Sequence, residues 1–408
     1  MSKPAEILFL AHRLPYPPDR GDKIRAWNFL SHLISRHPVH LGCFVDDPRD
    51  FEHLDAIRKR CAGTHFARLN RTTAGLRCIG GVLRGAPLTL SYYHDSGLQA
   101  WVDGVVQRAA PTTAFVYSSA MAQYVMDMDA GPTRLLRRVM DFVDVDSDKW
   151  RQLAAMSPWP RSWVYRREAR KLLAFERRVA DRFDSSVFVS VQEAGLFRQL
   201  APECNGKVHH IYNGVNHEFF SPELRFDNPF PARQKVFVFT GVMNYQPNVD
   251  GVVWFAHRVL PRLRQAGLDP RFVIVGRDPL PEVQRLEDLP GVAVTGRVDD
   301  VRPYLAHADI VVAPLRVARG IQNKVLEAMA MAKSVVATPQ AMQGIDAARD
   351  GEVAVAEDET SYAEQLLQLI DSDECMAMGR RARQRVIADY SWEPSLRRLE
   401  SIVDGSNP

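Results

Sequence analysis

The sequence is short of the features that mark special classes of protein. Its 408 residues hold five cysteines, at positions 43, 61, 78, 204 and 375. The number is odd and no two stand as Cys-x-x-Cys, which argues against a disulfide framework or zinc ribbon and for a reducing compartment. No apolar run approaches the roughly 18 residues of a spanning helix. The net charge is only +3, too small for the total to point to nucleic acid. Met1 to Glu6 lead straight into an apolar strand without a leader pattern, so a cytoplasmic protein is expected. Gly-x-Gly-x-x-Gly is missing after that strand, which argues against the usual dinucleotide site.

What is present describes an ordinary folded chain. Hydrophobic residues make up 46% and charged residues 25%, and the length suits two or three domains. Ile7 to Ala11 is a continuous apolar strand of the kind buried in a parallel sheet. A stiff loop with three prolines follows, from His12 to Asp22. A helix is then predicted over Lys23 to His37, burying Ile24, Trp27, Leu30, Leu33 and Ile34. Val39 to Val45 is the next strand. A strand–loop–helix–strand unit binds ligands in the loop at the strand's carboxyl end. Further strands are predicted at Thr113–Tyr117, within Arg134–Asp144, at Ser186–Ser190 and at Lys207–Tyr212.

Asn213-Gly-Val-Asn216 is a turn signal, and Phe219 to Arg233, with three prolines, is predicted to be a linker. The second half repeats strand and helix more regularly, with strands ending at Gly241, Gly276 and Gly296. Repeated units of this kind give a parallel sheet covered by helices. The expectation is two similar doubly wound halves, residues 1–214 and 215–387, with a cleft between them as the default ligand site. The amphipathic stretch 388–408 is expected to pack back on the first half.

One stretch concentrates the chemistry. Asp309 to Ala313 is a strand, Gly320 permits a tight turn, Ile321 to Ala332 has helical apolar spacing, and Ser334 to Thr338 is the next strand. A helix start behind a glycine loop attracts anions through its free N–H groups and dipole. Lys324 and Glu327 share one face of that helix. The trio suits a nucleoside diphosphate, with cation and N–H groups for phosphate and a carboxylate for ribose. An ordinary solvated ion pair is the alternative.

Two acidic pairs, Asp127-Met-Asp129 and Asp144-Val-Asp146, have the form that binds hard divalent cations in some transferases. Chance spacing explains them as well, and no metal or other cofactor is expected. The stretch Ser157 to Glu176 is dense in Arg, Lys, Trp and Tyr. Such a mixture suits an anionic membrane surface, or a solvated helix with a few core aromatics.

Asn213-Gly-Val, the strand-ending glycines, Asp309-Ile-Val-Val-Ala-Pro314, Leu326-Glu-Ala-Met-Ala330, Val335-Val-Ala-Thr338 and Tyr390-Ser-Trp392 together resemble glycosyltransferase family 4. More closely, Pro17 to Arg25, Asp141 to Trp150 and Gly320 to Glu327 resemble the sugar transferases that accompany PEP-CTERM/exosortase exopolysaccharide clusters. The resemblance covers nearly the whole chain and is strongest over residues 207–345. It implies the GT-B fold of two Rossmann-like domains. It also implies a retaining, metal-independent hexosyltransferase moving sugar from a nucleotide-sugar donor to a glycan or polyprenyl-linked acceptor, without nucleic acid, in the cytoplasm or on the inner face of the plasma membrane. An epimerase of the same fold, or an inactive binding homologue, are the rival readings.

The resemblance implies donor contacts from Gly21, Gly241, Gly296, Arg297, Arg319, Gly320, Asn323, Lys324 and Glu327. Arg13, Lys23 and Arg25 flank the first loop as acceptor contacts, and Asp141 and Asp144 are placed to orient or deprotonate an acceptor hydroxyl. Two departures stand out. Family members carry a glutamate where this chain has Arg319, so sugar recognition must differ. They also carry an Arg and a Lys in the loop after the first strand of the second half, where this chain has Val242-Met-Asn-Tyr-Gln-Pro-Asn248. A buried diphosphate needs compensating charge, so Lys324, with Arg319, is expected to supply it from the other loop.

Overall fold

The structure is a computed structural model of the chain and describes residues 5–18, 21–128, 136–231, 234–318, 320–345 and 351–406. The chain divides into two compact units. One is Met1–Tyr212 with Ser395–Pro408, and the other is Asn213–Pro394.

The first unit is built on seven parallel strands: β1 Ile7–Ala11, β2 Val39–Val45, β3 Gly63–Arg68, β4 Thr113–Tyr117, β5 Arg137–Val143, β6 Ser185–Phe188 and β7 Val208–His210. Their order is β3-β2-β1-β4-β5-β6-β7. β1 lies between β2 and β4, with Ile7 beside Val39 and Thr113, and all five of its residues are buried. The order reverses direction at β1, where loops diverge and a ligand crevice forms.

Helix α1 spans Gly21–Ile34. Its inner face differs from the predicted stripe. Lys23, Arg25, Ala26, Phe29, Leu30 and Leu33 are buried, whereas Ile24, Trp27 and Ile34 are only partly so. Two charges go inward because each finds a full set of partners. The Lys23 ammonium donates to both oxygens of Asp50, at 2.8 and 2.9 Å. The Arg25 guanidinium donates to both oxygens of Asp141, at 2.8 and 3.2 Å, and to the carbonyl of Ile211 at 2.7 Å. Burial raises the Asp141 carboxyl, against the attraction of Arg25. Asp141 also accepts from the N–H of Val143 at 3.1 Å. Val143 has φ of +69°, which is strained for a β-branched residue, and the β5–β6 register shifts there.

Helices α2 to α4 follow in chain order: α2 Arg71–Leu83, α3 Asp146–Met156 and α4 Arg161–Arg182. Buried Glu176 on α4 accepts from the N–H and hydroxyl of Ser147 on α3, at 3.1 and 2.5 Å. Residues after Ser395 complete this unit. The Ser395 hydroxyl donates to the Tyr212 carbonyl, and Arg137 donates to the Ile402 carbonyl.

The second unit has six parallel strands: β8 Lys235–Thr240, β9 Pro270–Val275, β10 Val292–Val294, β11 Ile310–Ala313, β12 Val335–Ala337 and β13 Ala354–Val355. Their order is β10-β9-β8-β11-β12-β13, so β8 takes the central place. The proline-rich stretch after Asn216 is not a free tether. Phe220, Phe226 and Phe230 pack on the core of this sheet, because their rings have apolar area to bury.

The Arg25–Asp141 pair is the most demanding interaction of the first unit. Arg25→Met leaves a buried carboxylate without its partner, which costs about 3–5 kcal/mol. Urea unfolding should show a large fall in the midpoint of the first unit. An unchanged midpoint would show that the pair contributes nothing net.

Candidate active site

In the second unit the carboxyl end of β8 sets the site. Gly241 donates its N–H to the Val275 carbonyl at 3.0 Å. A side chain on Gly276 would lie 1.6 Å from the Gly241 carbonyl oxygen, so the two loops after β8 and β9 touch through bare backbone. That contact requires glycine at Gly276. Helix Gln246–Trp254 follows the first loop, and its buried Asn248 donates to the Val242 carbonyl at 2.9 Å.

Helix α5, Asn323–Ala330, starts behind Gly320 at φ +67°. It buries Val325, Leu326, Ala328, Met329 and Ala330. Its N-cap residue, Gln322, makes no side-chain cap bond to the first turn, and its carbonyl accepts from the N–H of Val325 at 2.9 Å. Lys324 points its amine across to the β8 loop. The ammonium donates to Asn248 Oδ1 at 2.5 Å and lies 4.3 Å from the centre of the Phe239 ring. It stands 3.2 Å from where a Gly241 side chain would begin. Glu327 lies one turn further on, and its carboxylate makes no hydrogen bond among the described residues.

Both side chains are partly buried. Burial lowers the Lys324 ammonium to about 7, with Glu327 opposing, and raises the Glu327 carboxyl to about 7, with Lys324 opposing. The site is thus under-compensated: a cation has only an amide oxygen and a ring face for direct partners. Thr240, next to Gly241, adds a buried hydroxyl without a hydrogen-bond partner.

Other predicted donor residues are more scattered in character. Gly296 has φ of +66° with open space around it, Arg297 is exposed and Asn323 is partly buried. Arg319 lies outside the described residues. Asn248 and Phe239, which hold the lysine, were not anticipated. The available signal was a polar residue beside the apolar positions Val249 and Val252.

In the first unit the predicted residues gather at the carboxyl ends of β1, β4 and β5. Arg13 pairs with Asp22 and, at 3.1 Å, with Asp46. His12 lies 3.7 Å from Asp22 and stacks on Tyr117, and the Tyr117 hydroxyl donates to the Asp22 carbonyl at 2.8 Å. Sequence reasoning missed His12, whose Nδ1 is buried without a partner. Asp144 is 26% exposed and holds Lys149 at 2.8 Å, with Asp146 at 3.1 Å on the same ammonium. Asp127 binds Arg182 on the surface, and Asp129 lies outside the described residues.

Two expectations give way here. Lys23 and Arg25 are buried and saturated by carboxylates, so neither is free to touch an acceptor. Asp141 is fully buried under Arg25 and cannot meet a substrate hydroxyl. It acts instead as a positioning group for the strained turn that carries Asp144. Gly21 is exposed, and no atom of the chain lies within 4 Å of where a side chain there would begin, so the position where a donor is expected to approach is open.

Residues 234–372 match the family model described as glycosyl transferases, group 1. That segment holds Gly241, Asn248, Gly276, Lys324 and Glu327, the whole second-unit site. No curated protein matches the chain at a significant level. Similar solved structures span almost all of it. A glycosyltransferase from Rickettsia africae is 14% identical with a TM-score of 0.66, covering 99% of each chain. A sucrose-phosphate synthase from Thermosynechococcus elongatus is 14% identical with a TM-score of 0.67, covering 98% of each. The Anabaena protein HepE, solved in complex with UDP, is 14% identical with a TM-score of 0.67, covering 98% of this chain and all of that one. The fold is GT-B, with two parallel-sheet Rossmann-like domains.

The opposed shifts of Lys324 and Glu327 give a pH signature. Between the ordinary glutamate value and about 7, the folded chain keeps a proton on Glu327 that the unfolded chain has lost, so stability falls as pH rises. Between about 7 and the ordinary lysine value, the unfolded chain keeps a proton that folded Lys324 has lost, so stability rises with pH. Glu327→Gln should remove the first slope and Lys324→Met the second, read as the pH dependence of the thermal midpoint. Identical profiles in parent and variants would contradict the burial of these charges.

Proposed function

We propose that this chain is a retaining, metal-independent hexosyltransferase that uses a nucleoside-diphosphate sugar. The observation that carries this reading is the Lys324 ammonium lying over the glycine loop after β8. That loop has no cation of its own, and the amine comes to it from α5. A diphosphate placed there meets the ammonium, the positive end of the α5 dipole and the bare backbone of Gly241. Glu327, one turn deeper, accepts hydrogen bonds from ribose hydroxyls once ionised. Binding a diphosphate favours the charged lysine, so the ligand and a proton should be taken up together above neutral pH.

The group 1 match and HepE's complex with UDP support a nucleotide-sugar donor. Arg319, Gly320, Asn323, Gly296 and Arg297 complete the proposed donor site. In the first unit, Asp144 and Arg13 border the proposed acceptor site. The acceptor is a glycan or polyprenyl-linked sugar, the setting is exopolysaccharide synthesis of the PEP-CTERM/exosortase type, and the work is done in the cytoplasm at the inner face of the membrane. Retention needs little from side chains, since the leaving diphosphate itself can accept the acceptor's proton while the protein supplies position and charge.

Thermal unfolding with a panel of nucleoside diphosphates and their sugars tests the donor site. A ligand at a hundredfold over its Kd stabilises the folded state by about 2.7 kcal/mol. Lys324→Ala and Glu327→Ala should each weaken that ligand roughly tenfold to a hundredfold, the worth of a hydrogen bond to a charged group. If both variants bind UDP and GDP as the parent does, the donor site is elsewhere. Donor turnover without any acceptor would move the epimerase reading ahead.

A further inference from the structure

Helices α3 and α4 carry an unusual surface. Between Arg151 and Arg178 the only carboxylates are Glu168 and Glu176, and both are fully buried. Glu168 is turned inward to the N–H groups of Leu88 and Thr89, at 2.6 and 2.9 Å. Glu176 is turned inward to Ser147. Every charge this segment shows to solvent is therefore positive. Arg161, Arg166, Arg170 and Lys171 are exposed, and Arg166 is bonded only to its own helix, at Ser162.

Large apolar side chains stand exposed among these cations. Trp159 is 80% exposed, Met156 76% and Trp163 56%. A groove of about 610 Å³ runs between the helices, with Trp163, Ala169, Leu173 and Leu200 along it, Arg166 and Arg170 beside them, and the Arg151–Asp148 ion pair at its edge. Neighbouring α2 continues the pattern. It contains no acidic residue, exposes Leu76 and Ile79, and is tied to α4 by Arg167, which donates to the Val82 and Ala86 carbonyls.

We infer that the α3–α4 face seats the first unit on an anionic phospholipid bilayer, with the tryptophans at headgroup depth and the arginines on lipid phosphates. The charge selects the occupant. A surface whose exposed charges from Arg151 to Arg178 are all positive repels a second copy of itself, and a neutral peptide groove needs no such excess. Exposed indole rings match the half-wet interface of a bilayer, and each basic residue near an anionic surface adds about a factor of five in partitioning. No helix among the described residues is long and apolar enough to cross a membrane, so the contact is on the surface. This deepens the proposed work at a membrane, but it is read without donor or acceptor and does not depend on either.

The test is flotation of the full chain with vesicles of phosphatidylglycerol and phosphatidylcholine, against vesicles of phosphatidylcholine alone. Binding to the anionic vesicles only, weakened by salt, is expected. Arg161→Glu/Arg166→Glu/Arg170→Glu should lower partitioning by roughly a hundredfold or more. Trp159→Ser/Trp163→Ser should lower it at least about tenfold and remove a lipid-induced blue shift of tryptophan emission. Unchanged far-UV circular dichroism and thermal midpoint show that the variants are folded. Lys324→Ala should bind vesicles as the parent does, which separates this inference from the donor site. Equal binding by parent and surface variants would overturn it. So would failure to bind anionic vesicles, or self-association or nucleic-acid binding lost in the same variants while vesicle binding persists.

Discussion

The second-unit site depends on one under-compensated charge. Lys324 is drawn out of water and given an amide oxygen, a ring face and a glycine backbone, with Glu327 a turn away. Desolvation opposes the charged state of both groups, and the proposed diphosphate would answer the demand for opposite charge at the lysine. The surrounding structure maintains this arrangement. Gly276 lets the loops after β8 and β9 close on each other, Asn248 fixes the lysine's direction, and the apolar face of α5 anchors the helix that carries it. Filling any of these with bulk or neutral packing would relieve the strain and with it the affinity.

The first unit treats charge in the opposite way. Lys23, Arg25, Asp50 and Asp141 are buried deeper than Lys324, yet each is matched by bidentate or multiple hydrogen bonds. Such pairs contribute little net stability against an apolar replacement, but breaking one is costly. Their effect is positional. Asp141 reaches past its own strand end to the N–H of Val143, and the left-handed turn at Val143 leads directly to Asp144 and its partner Lys149. A saturated ion pair thus sets the geometry of a partly exposed carboxylate that holds Lys149.

The acidic residues of α4 show the same economy on the outer surface. Glu168 and Glu176 are turned to backbone and hydroxyl donors inside the unit, so from Arg161 to Arg178 the helix presents only cations outside. Fold stabilisation and surface charge are separated along one helix by which side each residue takes.

The parallel-sheet class, the strands Ile7–Ala11, Val39–Val45, Thr113–Tyr117 and Lys235–Thr240, and the glycine-led helix bearing Lys324 and Glu327 were legible because each rests on local pattern: apolar runs, turn residues and helical spacing. β3, α2 and the inner face of α1 were not, since Gly63–Arg68 is only half-buried and α1 turns charges inward that a periodicity rule assigns to solvent. Lys23, Arg25 and Asp141 looked like site residues because charge near a ligand loop is chemically suggestive. Only the tertiary structure, by bringing Asp141 to Arg25 across 116 positions and Asn248 to Lys324 across 76, decided which charges are consumed by the fold and which remain for a ligand. The physical reason is that a charge's availability depends on partners and solvent in three dimensions, and sequence spacing encodes neither.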